Sequence, residues 1–115
     1  MVDFLSVRRL LSKLTKENLW LYILTELKNS PMYAYEIAKA LKGKYGIPVA
    51  TVTTYVVLYK MEREGLIIKK GDTSSIRKPG RKYYAITEKG ILALGEGKKI
   101  LVNILKLLAE KSEKI

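Results

Sequence analysis

Two short runs within residues 66–86 constrain the fold more than any other part of the chain. Residues 66–70 and 81–86 are rich in β-branched and aromatic side chains, which is typical of strands. The stretch between them, residues 71–80, is rich in Gly, Ser, Asp and Pro, as a protruding turn would be. The two runs therefore predict a β-hairpin with a long loop at its tip.

Apolar residues at helical spacing predict four helices before the hairpin and one after it. Pro31 separates the second helix from the third, and Gly65 ends the fourth. Thr15, Thr51 and Thr87 are the candidate N-caps of the second, fourth and fifth helices. The predicted helices cover residues 1–14, 15–28, 32–43, 50–64 and 87–112.

Three helices followed by a two-stranded hairpin have the connectivity of a winged helix-turn-helix. The predicted fold class is therefore mainly α with a small β-hairpin, flanked by N- and C-terminal dimerisation helices. Neither a repeat nor a linker is evident, which predicts a single domain over residues 1–115. Its parts are an N-terminal docking helix at 1–14, a winged-helix core at 15–87 and a C-terminal dimerisation helix at 88–112.

The residue types that the chain lacks exclude several classes of protein. It has neither His nor Cys, which excludes imidazole and thiolate metal sites and His-dependent nucleophilic catalysis. Its two aspartates, Asp3 and Asp72, lie far apart in the sequence, which disfavours a paired-carboxylate site. We therefore predict that the protein is not an enzyme and needs no cofactor. Neither a membrane span nor a secretion signal is evident, so a cytoplasmic location is expected.

The distribution of charge points to an anionic partner. The chain carries 22 Lys and Arg against 11 Asp and Glu, a formal net charge of +11. Residues 66–90 hold seven of the basic residues and two of the acidic ones, a net charge of +5. Duplex DNA would neutralise such a hairpin, whereas the alternative is a solvated edge that Lys and Arg protect from aggregation. The predicted DNA contacts of this wing are Arg77, Lys78, Arg81 and Lys82.

The start of the fourth helix is small, hydroxyl-rich and uncharged over residues 50–55. Free backbone N–H groups at a helix N-terminus favour a phosphate, and Thr side chains can meet phosphates or base edges. Capping and β-branched packing are the alternative explanation of the same residues. Thr54 lies one turn before Leu58 and is expected to face the core. The predicted recognition-helix contacts are Ala50, Thr51, Thr53, Tyr55 and Lys60.

Two apolar stripes, in residues 4–14 and 91–108, bracket the predicted core. A chain of this length has little core left for both, so we expect them to pack against a second copy. The alternative is that both stripes complete the core of a single copy. The predicted interface residues are Phe4, Val7, Leu11, Leu14, Leu94, Leu101, Leu105 and Leu108.

Three segments of the chain resemble the PadR-like transcriptional regulators. They are residues 29–37 (NSPMYAYEI), 55–66 (YVVLYKMEREGL) and 80–90 (GRKYYAITEKG), and they follow one another in the family's order. Ala34 and Val52 depart from the glycines that are typical of the family. The resemblance implies a homodimeric, usually repressing, cytoplasmic regulator that binds double-stranded DNA and has one C-terminal dimerisation helix. Some relatives bind small aromatic or cationic compounds at the dimer interface, so the resemblance leaves room for an unknown small-molecule effector.

Two other functions fit parts of the pattern. A non-specific architectural DNA-binding protein would show the same charge, and the start of the fourth helix lacks the Arg, Asn and Gln that read bases best. A winged helix that binds another protein would carry its Lys and Arg as solvated side chains. Affinity for a specific site relative to random DNA separates the first from a regulator. Weak salt dependence of DNA affinity would favour the second.

Overall fold

The computed structural model describes residues 3–71 and 82–113, with side chains in the last helix described as far as residue 109. Within these residues the chain is mainly α-helical with one small sheet, as predicted. The helices are α1 (Leu5–Leu14), α2 (Leu19–Asn29), α3 (Ala34–Gly43), α4 (Thr51–Glu64) and α5 (Glu88–Glu113). A 3-10 turn at Lys16–Asn18 precedes α2. The strands are β1 (Met32–Tyr33), β2 (Ile67–Gly71) and β3 (Lys82–Ile86).

The junction between α1 and α2 differs from the prediction. Thr15 was predicted to cap the second helix, but its Oγ1 donates a hydrogen bond backwards to the Leu11 carbonyl oxygen at 2.6 Å. A threonine hydroxyl that donates to a carbonyl oxygen one turn earlier belongs to the end of the preceding helix and does not cap the next one. The 3-10 turn therefore fills the gap, and α2 begins at Leu19 rather than at residue 15.

The third helix begins two residues later than predicted, because Met32 and Tyr33 form a strand. They pair antiparallel with β3, Met32 opposite Tyr84 and Tyr33 opposite Tyr83. A carboxylate then helps to start α3, since the Tyr33 backbone N–H donates to Glu36 Oε1 at 2.8 Å. This is the reaching-back half of a capping box.

Helix α4 begins one residue later than predicted and ends as predicted, before a glycine. Gly65 follows it with φ +86°, the left-handed conformation that favours glycine at a helix C-terminus. Thr51 is the first helical residue and Ala50 is the cap, so the prediction that Thr51 caps this helix is wrong. Thr54 is fully buried, as expected, and its hydroxyl donates to the Ala50 carbonyl oxygen at 3.3 Å.

The sheet has the order β1-β3-β2 and is antiparallel throughout. In the hairpin, Ile67 lies opposite Ile86 and Lys69 lies opposite Tyr84. Ile67 and Tyr84 are buried, so one face of the hairpin closes the core formed by α2, α3 and α4.

Helix α5 is anchored at its start and exposed further on. The Gly90 N–H donates to Thr87 Oγ1 at 3.0 Å, which confirms Thr87 as its N-cap. Leu94 is 2% exposed and belongs to the core of its own protomer, so the prediction that it lies in a dimer interface is wrong. Every side chain from residue 98 to residue 109 is exposed. Among the described residues, no helix combines the length and apolar character needed to cross a bilayer.

The largely buried carboxylate of Glu26 links α2 to the end of α3. Glu26 Oε2 accepts hydrogen bonds from Lys44 Nζ at 2.8 Å and from the Tyr45 hydroxyl at 2.6 Å. The bond from Lys44 and then that from Tyr45 lower the pKa of Glu26 below its usual value of 4.5. Burial and the Glu26 bond raise the pKa of Tyr45 to about 12.

Replacing this carboxylate should make stability depend less on pH. We expect Glu26→Gln to lower the free energy of unfolding at pH 7 by about 1 kcal/mol, because Lys44 is largely exposed. A depressed pKa stabilises the fold above the unfolded value of 4.5, and that contribution disappears as pH falls through the folded pKa. Urea unfolding of both proteins between pH 7 and pH 3 should therefore show the difference closing in acid. A constant difference would contradict the ionic origin.

Candidate nucleic-acid interface

The predicted recognition residues of α4 all lie at the surface. Ala50, Thr51, Thr53 and Lys60 are exposed, and Tyr55 is 50% exposed. The first turn of the helix contains no acidic residue, so nothing there opposes the positive end of its dipole. The opposite face of the helix is buried. The structure thus presents the predicted residues together on the start and outer face of one helix.

Two apolar residues share this outer face. Val52 is 72% exposed and Val56 is 47% exposed, although both lie on a helix whose other face is buried in the core. Exposed valines on such a helix offer methyl groups of the kind that contact the thymine methyl. Val52 is not among the predicted contacts, and its exposure on this face adds it to them.

The wing is described in part. Arg77, Lys78 and Arg81 lie outside the described residues, so their predicted contacts stay predictions. Lys82 is the first residue of β3 and is exposed. It lies opposite Gly71 in the hairpin register.

A cleft separates α4 from the hairpin. Its volume is about 300 Å³. Tyr55 contributes from α4, Lys69 from β2 and Lys82 from β3. The residues around β1 and the start of α3, together with one tyrosine of the hairpin, complete it: Tyr33, Ala34, Tyr35 and Tyr84.

The predicted residues Tyr55 and Lys82 are thus brought together, whereas Lys69, Tyr33 and Tyr35 were missed. Strand alternation could have identified Lys69, because it follows the core residue Ile67 by two positions and therefore lies on the same face of β2. Tyr33 reaches the cleft because β1 pairs with β3, and its ring stacks on that of Tyr35 with centroids 6.2 Å apart. A two-residue strand leaves no periodic signal in a sequence.

The electrostatics of the cleft are dominated by lysine. Lys69 Nζ lies 4.0 Å from Glu62 Oε1, and both side chains are partly exposed. Burial, followed by the nearby Glu62 and Tyr55, raises the pKa of Tyr84. Tyr84 therefore stays neutral at physiological pH, and the charged residues that line the cleft are Lys69 and Lys82.

The predicted interface stripes are exposed in the protomer. Helix α1 buries none of its residues, and Phe4, Val7, Leu11 and Leu14 all lie at its surface. In α5, Leu101, Leu105 and Leu108 are 38%, 69% and 63% exposed. Apart from Leu94, these predicted interface residues lie outside the core of the single copy, whereas the alternative places them in it.

The comparisons with known proteins agree with the resemblance in the sequence. The model of the transcriptional regulator PadR-like family matches residues 23–96, more than half of the chain. Among curated proteins, none matches this chain.

Solved structures of PadR regulators share the fold. A PadR family transcriptional regulator from Eggerthella lenta DSM 2243 is 27% identical, with a TM-score of 0.74 over 90% of this chain and 89% of that one. A PadR-like regulator from Bacillus cereus is 29% identical, with a TM-score of 0.70 over 83% and 91% of the two chains. Bacillus subtilis PadR in complex with operator DNA is 25% identical, with a TM-score of 0.61 over 68% of this chain and 45% of that one. With its winged-helix fold and the family match over residues 23–96, the chain belongs to the PadR-like family of transcriptional regulators.

Proposed function

We propose that this protein is a DNA-binding transcriptional regulator, acting as a homodimeric repressor. The observation that carries the proposal is the cleft that brings Tyr55 of α4 together with Lys69 and Lys82 of the cationic hairpin. A major groove admits an α-helix, and α4 would present hydroxyl and methyl groups to it. The hairpin would present Lys and Arg to the adjoining phosphates. A similar regulator, Bacillus subtilis PadR, has been solved with operator DNA.

The exposed apolar residues of α1 and α5 support a homodimer. In the second half of α5 they are too many for the narrow seam of a two-helix contact, which uses two positions in seven. Such a helix packs against more than one partner helix, and α1 of the second copy supplies another apolar stripe of matching length. The exposed apolar residues of this half of α5 are Ile100, Leu101, Val102, Ile104, Leu105, Leu107 and Leu108. In a two-fold dimer, the two copies of α4 would meet successive major grooves about 34 Å apart.

The wing should supply much of the affinity for duplex DNA. Replacing Arg77, Lys78, Arg81 and Lys82 with Ala should lower the slope of log affinity against log salt by up to about 3.6 per subunit, since each separate phosphate contact contributes roughly 0.9. Fluorescence anisotropy with a labelled duplex at several salt concentrations measures this slope. A control, Lys98→Ala with Lys99→Ala, removes two exposed charges from α5 and should leave the slope unchanged. Equal slopes in the wing variant and the wild type would refute the mechanism.

A non-specific architectural DNA-binding protein is the second candidate. The exposed side chains at the start of α4 are Thr, Val and Tyr rather than the Arg, Asn and Gln that read bases bidentately. Selection of bound fragments from a random duplex pool decides between the two. A regulator should enrich a two-fold-symmetric site and bind it more than about 10³-fold tighter than random DNA at the same salt. An unenriched pool would favour the architectural protein.

A further inference from the structure

The inner face of the hairpin changes character along its length. Side chains on a strand alternate between two faces, so Ile67, Lys69 and Gly71 share one face of β2. Their partners across the hairpin are Ile86, Tyr84 and Lys82. The first pair packs against the core, the second pairs a lysine with a buried tyrosine, and the third ends in an exposed lysine. The face that closes the core therefore becomes cationic where it extends past the core toward α4.

The walls opposite these lysines are lined with tyrosine. Tyr55 projects from α4, and Tyr35 and Tyr33 lie at the start of α3 with stacked rings. The ring of Tyr33 meets that of Tyr83 edge to face, with centroids 6.3 Å apart, so it lies toward the opposite face of the sheet from Lys69, at the edge of the cleft. Tyrosine hydroxyls donate hydrogen bonds to anions, and a ring with two torsions loses little entropy when it does so.

From this arrangement we infer that the cleft binds one backbone phosphate of the duplex, between the recognition helix and the wing. The inference rests on the proposed DNA binding and names the atoms that perform part of it. Lys69 and Lys82 supply two cationic donors, and Tyr55 supplies a hydroxyl donor beside them. A volume of about 300 Å³ accommodates a phosphate group with ordered water. The two ammonium groups that line the cleft select an anion over a neutral ligand.

In the free protein, Glu62 forms an ion pair with Lys69 of the cleft. Its carboxylate lies 4.0 Å from the Lys69 ammonium, so it holds this lysine and competes with the phosphate for it. We expect Glu62→Gln to raise affinity for a duplex roughly two- to fivefold, because a partly exposed ion pair is weak and its loss frees Lys69. Unchanged or reduced affinity of this variant would show that Lys69 does not meet the phosphate.

Two neighbouring lysines provide a matched test. Lys69 faces the cleft, and Lys70 lies on the other face of the same strand, opposite Tyr83. We expect Lys69→Gln to weaken binding to a random-sequence duplex roughly three- to tenfold at moderate salt, and Lys70→Gln to change it less than twofold. Both residues are exposed, so both variants should keep the wild-type urea midpoint. Equal effects of the two substitutions would overturn the inference.

The double variant counts phosphates. If Lys69 and Lys82 meet the same phosphate, Lys69→Gln with Lys82→Gln should reduce the salt slope by about 0.9 per subunit, whereas two separate phosphates would give about 1.8. The second value would overturn the single-phosphate assignment. A wild-type protein that binds no duplex would instead refute the proposed function. If inorganic phosphate raises the melting temperature of wild type but not of the double variant, and their salt slopes are equal, the cleft takes free phosphate and the duplex assignment fails.

Discussion

Gly90→Ala should destabilise the protein by about 3 kcal/mol or more, because the added methyl group has no space. A Cβ at this position would overlap the carbonyl oxygen of Leu66 and lie 2.8 Å from Ile86 Cγ1. That carbonyl already accepts a hydrogen bond from the Thr87 N–H at 3.1 Å, which links the residue after β3 to the residue before β2. Relief would require the backbone at the start of α5 to move away from the sheet. Urea unfolding followed by the fluorescence of Trp20, the single tryptophan, measures the loss.

A second glycine in the same helix serves as the control. A Cβ at Gly95 would meet no atom within 4 Å, so Gly95→Ala should stabilise the protein by roughly 0.5–1 kcal/mol through better helix propensity. The two substitutions add the same atom to α5 and should act in opposite directions. A loss of stability in both variants would mean that the close approach of Gly90 to Leu66 is not what limits this position.

Leu105→Glu should dissociate the proposed homodimer while leaving the protomer folded. Leu105 is 69% exposed in the protomer, so a carboxylate there costs little until a second copy covers it. Burying an unpaired charge in an apolar interface costs several kcal/mol, and two-fold symmetry places one in each subunit. We expect the dimer dissociation constant to rise roughly 100-fold or more. Sedimentation equilibrium should show wild type at twice 13.1 kDa and the variant near 13.1 kDa at the same micromolar concentration.

Asn103→Glu provides the matched control for this substitution. It adds the same single negative charge to an exposed position two residues away, on the side of α5 opposite the centre of the apolar stripe. The control should stay dimeric. A monomeric wild type at these concentrations, or equal dissociation of both variants, would contradict a dimer built on this stripe.

The order of the elements could be predicted because each has its own local signal. Gly65 ends α4 in the left-handed conformation, and Thr87 caps α5 through the Gly90 N–H. One element lacked such a signal. β1 consists of two residues, too few for a period, and exists because Met32 and Tyr33 lie opposite β3 in the folded chain. Sequence-based reasoning therefore extended α3 over them.

Apolar spacing also predicted which residues of α5 form an apolar face. It did not predict which of them pack in the core of their own protomer. Leu94 and Leu101 are seven residues apart on the same face of α5, yet the first is buried in its own core and the second is exposed. What separates them is the point where α5 passes the start of α2. Gly97 packs there against Trp20 and Leu21 so closely that a Cβ would lie 2.8 Å from each side chain. Heptad spacing contains no information on that point.

Part of the candidate site could be predicted from the sequence, and part could not. The exposed residues of α4 follow from helical period, because Thr54 and Leu58 define the buried face. The cleft does not, since it depends on the register that sets Lys69 opposite Tyr84 and on the strand pairing that brings Tyr33 beside Tyr83. Charge counting identified Lys82 as a basic residue of the wing, and only the hairpin register shows that it shares a face with Lys69.

The most direct test of the account is DNA cleavage from single cysteines that carry an iron chelate. The chain has no cysteine, so Lys60→Cys on α4, Lys70→Cys on the wing and Asn103→Cys on α5 each give one labelled site. On a duplex selected from a random pool, cuts from positions 60 and 70 should fall within about half a helical turn of each other, and both patterns should repeat about 34 Å away. Position 103 should give no local cuts. Tight binding with cuts from position 60 no stronger than those from position 103 would contradict a duplex-binding surface formed by α4 and the wing.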